Sequence, residues 1–233
     1  MGYEFNWSVL REQPYLHWLL TGAATTLVLA ACIWVLAFIA GSVIGVAGTF
    51  QSRVARLLAR VYVEVLRNIP PVVQLFLWYF VVPELLPATW RHYVIYDMPH
   101  PEFITCVVAL GLFLSARIAD HVRAGIEAVP HRTVEAALAT GLTSFQAYRF
   151  VRLPIAYRML IPTLGSEMMI GLKVTALGLT IGVMEMTARA HQIESFSGAG
   201  IEAFTAATIF YSVAAMLLVA AITAAERLVK IPR

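Results

Sequence analysis

At 233 residues, 60% hydrophobic and only 13% charged, the chain lacks the roughly 25% charged content of an ordinary globular domain. Its 17 Lys and Arg exceed its 14 Asp and Glu by three, and the basic residues gather beside apolar stretches. With no separate basic stripe left over, nucleic acid is excluded as a partner.

Taken in chain order, residues 1–17 read as an outer interfacial segment. Tyr3, Phe5, Trp7 and Tyr15, with Trp18 just beyond, are the aromatics that favour a membrane–water boundary. Glu4 precedes Arg11 and no small-residue cleavage site follows, unlike a cleaved signal peptide. The first apolar stretch, Trp18–Gly48, exceeds the about 17–25 residues that a spanning helix needs, so it tilts or projects from the bilayer. Four more meet that length: Ile69–Leu86, Phe103–Ala119, Met159–Met184 and Ala203–Ala225. Five such stretches predict an all-α membrane protein with five transmembrane helices.

Near the cytoplasmic end of the second span, Glu64 and Arg67 stand three apart, the spacing of an intrahelical pair. A structural pair is the first reading and the lining of a water-filled path the second. Pro70-Pro71 predicts a kink that frees carbonyls near Arg67. Gln74, past that kink, is placed to hydrogen-bond a ligand or a neighbouring helix. The loop Pro83–Glu102 carries Pro83, Pro87, Pro99 and Pro101, which predicts an ordered, non-helical cap. After span three, Asp120 is expected to balance Arg117 and Arg123.

The stretch Thr133–Pro154 interrupts the apolar pattern. Thr133 is the expected N-cap of a short helix with Glu135 in its first turn. Gly141 is placed to end that helix in the left-handed conformation. Thr143 and Gln146 fit a capping box that starts a second helix, and Pro154 disfavours its continuation. Leu138, Leu142 and Phe145 form an apolar patch. Two helices this short are marginal alone in water, so they pack either on the interface and the chain's own ends or on a soluble partner.

In span four, Glu167 and Lys173 lie six residues apart, about 240° around a helix, so they do not form a simple intrahelical bridge. Glu167, Gly171, Thr175, Gly178 and Gly182 make a small or polar stripe that reads as a packing seam or a binding surface. Thr187–Glu202 is a polar outer segment. Cys32 and Cys106 both fall inside spans, which argues for apolar filling and against a disulfide. His17, His92, His100, His121, His131 and His191 are scattered without metal-ligand spacing, so no metal is expected. No Gly-x4-Gly-Lys-Ser/Thr loop occurs, and no residues assemble a nucleophile, base and oxyanion site.

Arg53, Arg56 and Arg60 lie on one side, with Arg117, Arg123, Arg132, Arg149, Arg152, Arg158, Arg227, Lys230 and Arg233. Only Arg11, Arg91 and Arg189 fall on the other. The positive-inside rule then places the N-terminus outside and the C-terminus in the cytoplasm. The Thr133–Pro154 stretch becomes a cytoplasmic two-helix segment.

Three motifs carry a family resemblance. Glu135-Ala136-Ala137, then Gly141, then Leu153-Pro154 resembles the coupling loop of permease subunits in bacterial ABC importers. The stretches Val61–Phe80, with Glu64, Arg67, Pro70 and Gln74, and Ser166–Glu185 are similar to the second and fourth spans of polar amino-acid permeases. Glu202–Tyr211 extends that match, and glutamate/aspartate permeases are the nearest group. His131-Arg132 replaces a common Gly-Gln, and Ala176 stands where many members have Ser.

The resemblance implies a non-hydrolytic permease domain over 18–233 in the bacterial inner membrane, with a coupling loop at about 133–154. It implies a second permease subunit, identical or homologous, and two cytoplasmic ATP-binding subunits. A periplasmic amino-acid-binding protein and membrane lipid complete the partners. ATP and Mg would sit on the ATPase, with no cofactor on this chain. Glu135, Ala136, Ala137, Leu138, Gly141, Leu142, Leu153 and Pro154 would meet the ATPase. Gln74, Glu167, Lys173 and Thr175 would line the substrate pathway, with Glu64, Arg67 and Pro70 structural. The competing expectations are an ion-gradient-driven amino-acid transporter and a purely structural membrane partner.

Overall fold

The computed structural model describes residues 5–229. Tyr3, Glu4, Lys230 and Arg233 lie outside the described residues. In chain order the helices are α1 (Tyr15–Ala47), α2 (Arg53–Asn68), α3 (Pro71–Phe76), α4 (Val82–Leu85), α5 (Ala88–His92), α6 (Pro101–Glu127), α7 (His131–Ala139), α8 (Ser144–Ala147), α9 (Leu153–Val174), α10 (Met186–Ser197) and α11 (Gly200–Val229). No strand occurs among the described residues. Among the described residues four helical runs are long and apolar enough to cross a membrane: α1, α6, Ser144–Ile181 and Gly200–Arg227. The α2 and α3–α4 segments form a bent pair that makes a fifth span if counted as one.

Local chemistry explains most boundaries. α1 is apolar on every side, so it can pack part of its surface on protein and turn the rest to hydrocarbon. At Ile69 the backbone is extended, and α3 restarts at Pro71 with Pro70 as its N-cap. A proline costs nothing where the first-turn N–H has no helical partner. The same rule corrects the expected non-helical cap. Pro83 stands in the first turn of α4, Pro87 caps α5 and Pro101 opens α6, so most of that loop is helical.

Span four departs from expectation at both ends. Ordinary helix stops at Val174, a 3-10 turn covers Thr175–Ile181, and Gly182 turns left-handed at φ 90°. Gly182–Met184 is therefore not helical. At the other end Pro154 does not stop the chain's helix. A π turn at Tyr148–Arg152 joins α8 to α9, which places Pro154 in the first turn of α9. Thr133 is not the N-cap of α7 either; Pro130 is, and its carbonyl accepts the Thr133 N–H at 3.1 Å.

The chain divides into two compact units. One holds the described chain up to Val35, Pro70–Gly111 and Met169–Leu218. Its centre is Met186, Ala190 and Ile193 of α10 against Ala203 and Ala207 of α11, flanked by Tyr15, Trp18 and Leu19. The buried Thr26 hydroxyl accepts the Met186 N–H at 3.0 Å.

The other unit holds Leu36–Ile69, Leu112–Met168 and the chain from Val219. Here α1 meets α6 backbone to backbone. A Cβ at Gly41 would lie 2.7 Å from the Ser115 carbonyl oxygen, and one at Gly45 would lie 2.7 Å from that of Ala119. Small residues four apart permit this approach where lipid leaves packing as the main attraction. Because the obstacle is backbone, no rotamer relieves it. Gly45→Leu should lower stability by about 1–3 kcal/mol, read as a lower thermal midpoint in detergent. Val43→Leu, on a side chain with 64% exposure, should leave the midpoint unchanged.

Candidate functional site

The Glu135–Pro154 segment lies within the second unit. α7 ends through Thr140, whose N–H reaches the Ala136 carbonyl, and Gly141 follows at φ 94°. Thr143 and Gln146 form the expected capping box at the start of α8. Ala137 and Ala147 are buried, whereas Glu135, Ala136 and Pro154 are exposed and Leu142 and Leu153 are half-buried. Leu138 is 40% and Phe145 73% exposed, so the apolar patch faces outward. Two contacts hold the segment to the unit. The Tyr148 and Thr49 hydroxyls meet at 2.7 Å, and Arg152 Nε donates to the Ile126 carbonyl at 2.9 Å.

Nothing lies within 4 Å of a Cβ built at Gly141, so conformation alone constrains that position. Gly141→Val should cost about 1–3 kcal/mol through the left-handed backbone. Gly141→Asn should cost less, because Asn tolerates that region. Thermal midpoints of both purified variants test the ordering.

The ionisable residues pair across helices. Arg67 does not take Glu64 as expected. Its Nη1 binds Asp120 at 2.8 Å, while Glu64 accepts from the Asn68 amide at 3.1 Å. Asp120 also receives Arg123 at 3.1 Å but not Arg117. Arg117 instead grips Glu167 with two bonds, Nε to Oε2 at 2.8 Å and Nη2 to Oε1 at 2.9 Å. His121 Nε2 adds a contact to Oε1 at 2.9 Å. The Glu167 side chain is only 3% exposed. A carboxylate so buried is held by a forked, charge-assisted pair, the arrangement that best offsets its desolvation. The sequence pattern assigns His121 no partner. The available signal was its place four residues after Arg117, which aims both groups from one face of α6.

Gln74, Lys173 and Thr175 belong to the other unit. Gln74 is buried at 2% exposure. Thr175 is fully buried; its hydroxyl donates to the Leu172 carbonyl at 2.7 Å and meets the Tyr211 hydroxyl at 3.3 Å. Tyr211 in turn donates to Glu185 Oε2 at 2.8 Å. Glu185, fully buried, caps α10 by accepting the Thr187 and Ala188 N–H groups, both at 2.8 Å. The sequence offered no role for Glu185. An N-cap is ordinarily Ser, Thr, Asp or Asn, so a Glu in that place carries no ordinary sequence signal.

Beside this network lies a cavity of about 420 Å³ lined by Lys173, Thr187, Thr208, Tyr211 and Ser212 among apolar residues. Lys173 is exposed and makes no ion pair among the described residues. Nearby Arg189 packs its stem on Gly22, and burial pulls its guanidinium below the ordinary pKa. Among the described residues no three His, Cys, Asp or Glu converge as a metal would require.

Residues 37–231 match the model of the binding-protein-dependent transport system inner membrane component. The chain belongs to that family. It is similar to the glutamate/aspartate import permease protein GltJ of Escherichia coli (strain K12), 38% identical with 100% of this chain and 98% of that one covered. The glutamine transport system permease protein GlnP of the same strain is 30% identical, covering 98% and 99%. Among solved structures, an amino acid ABC transporter with histidines matches at TM-score 0.82 and 29% identity, covering 97% and 99%. This chain is therefore a multi-pass inner-membrane permease subunit of an ATP-driven importer, without hydrolytic activity of its own. An ion-gradient-driven transporter is set aside. Membership implies a partner ATPase and a substrate-binding protein.

Proposed function

We propose that this permease imports acidic amino acids, glutamate or aspartate, and that Lys173 selects them. The observation that carries this reading is a lone cationic side chain on a mostly apolar cavity of about 420 Å³ that also holds four hydroxyl-bearing residues, Thr187, Thr208, Tyr211 and Ser212. An acidic amino acid has two carboxylates and one ammonium, so it brings a net negative charge to a cation without a carboxylate partner. A charge at membrane depth costs about 2.5–3.5 kcal/mol unless it faces a partner or a wet path, and an anionic substrate is such a partner. Thr175 supports the wall through Tyr211, and Gln74 belongs to the same path. Glu167 serves it indirectly by fixing α9 through Arg117.

The same reading assigns two permease subunits, two ATP-binding subunits carrying ATP and Mg, and a periplasmic amino-acid-binding protein. The N-terminus lies outside and residues 1–17 rest at the outer interface, consistent with exposed Phe5 and Trp7. Residues 18–233 form the permease domain. Glu135, Ala136, Ala137, Leu138, Gly141, Leu142, Leu153 and Pro154 meet the ATPase. Glu64, Arg67 and Pro70 are structural. Alternating access follows when closure of the ATPases displaces the 133–154 segment and, through the unbroken helical run, α9.

Lys173→Met should lower glutamate uptake in proteoliposomes at least about tenfold, a loss of some 1.4 kcal/mol, with a smaller loss for glutamine and normal complex yield. Equal losses for both amino acids that track lost assembly would reduce Lys173 to a helix contact. Independently, Leu138→Cys should crosslink to the ATPase subunit in the purified complex. Crosslinks confined to the permease would defeat the coupling assignment.

A further inference from the structure

A second cavity, of about 590 Å³, lies within the other unit between the end of α1, α2 and α6. Arg53, Arg56, Arg60 and Arg123 line it, together with Glu64, Asp120 and Glu127. The acids are already engaged. Asp120 is held by Arg67 and Arg123, Glu127 lies 3.7 Å from Arg123, and Glu64 accepts from Asn68. Arg53, Arg56 and Arg60 make no ion pair or side-chain hydrogen bond among the described residues, and all three are exposed.

The helix that carries them has a second face. At 100° per residue, Arg53, Arg56, Arg60, Glu64 and Arg67 occupy an arc of about 80°. Val54, Leu57, Leu58, Val61 and Val65 fill the adjoining arc of about 100°, and each is between 50% and 66% exposed. α2 buries none of its residues. Leu57 lies where the two faces meet, lining the cavity while 60% exposed. Such a helix lies in a membrane interface. A soluble acidic partner would satisfy the arginines but leave the aliphatic row in water, and a bare acyl surface would do the reverse.

We propose that this cavity binds the phosphate headgroup of an anionic phospholipid, with its acyl chains along the Val54–Val65 face of α2. Arginine forks match phosphate oxygens in bidentate geometry. The α2 N-terminus, opened by Ser52 and Arg53, adds a favourable partial charge. The ligand is the lipid and not free phosphate, because the apolar arc adjoins the cationic one.

The test uses the purified full transporter, exchanged into neutral detergent and examined by native mass spectrometry with phosphatidylglycerol as the probe. Wild type should retain phosphatidylglycerol. Arg53→Gln/Arg56→Gln/Arg60→Gln should bind it about a hundredfold more weakly, from about a fivefold loss per arginine. The corresponding triple Lys substitution, which keeps the charge but loses the fork, should restore only part of the binding, and Arg60→Gln alone, at an exposed position, reads the effect if the triple variant does not assemble. Inorganic phosphate at millimolar concentration should not displace the lipid; displacement would make the site a phosphate site and overturn the assignment. Unchanged lipid retention in the Gln variants would overturn it equally, as would lost association between permease subunits with lipid retention intact. None of these readouts depends on the transported substrate.

Discussion

A carboxylate in an apolar interior must be answered by a cation, and in this chain that requirement falls on Glu167. Its two oxygens take Arg117 and His121 of α6, so the identity of its partners also fixes where α9 sits against α6. Neither residue can be removed without leaving the other short of a partner. The glycine seam at Gly41 and Gly45 brings α1 against the same α6, on backbone contact instead of charge. α6 is thus the shared support of this unit. Its fully buried Leu114, Ile118, Val122 and Ile126 run along one stripe.

The second recurrent theme is how helix interruptions are satisfied. Hydrocarbon offers no hydrogen bonds, so a broken helix must find donors and acceptors within the protein. At Gly182–Glu185 the freed groups are met locally: the Val183 N–H bonds the Gly178 carbonyl, and Glu185 takes two N–H groups of α10. The Thr26 hydroxyl takes a third, from Met186. Tyr211 ties the same carboxylate to Thr175. Thr187, whose N–H is one of the two that Glu185 takes, also lines the Lys173 cavity.

Much of this was legible from the sequence, because spans, capping boxes and left-handed glycines are local properties. Thr143 with Gln146, Gly141 and the break at Pro70 all appear where residue chemistry puts them. The departures have separate causes. Pro154 was read as a stop, yet a π turn absorbs it, a backbone adjustment no single residue announces. Glu64 and Arg67 have correct spacing for a pair, but Asp120, 53 residues away from Arg67, competes and wins. Thr133 is not the cap because α7 is capped three residues earlier, at Pro130, close to one full turn. Tertiary partners at long separation, such as His121 for Glu167, leave only a spacing hint on their own helix.

The Arg117–Glu167 pair has a consequence for biosynthesis. Its members lie 50 residues apart in the chain, and the arginine is made first. At about 5–20 residues per second, α6 spends roughly 3 to 10 seconds beside the ribosome's membrane port with its guanidinium unanswered. Arg117 keeps about a third of its side-chain surface exposed in the finished fold, and a long stem lets the charged head reach toward polar surroundings while it waits. Glu167, almost fully enclosed, arrives second and finds its counter-charge already in place. The order of synthesis spares the more deeply buried ion from ever entering the bilayer alone.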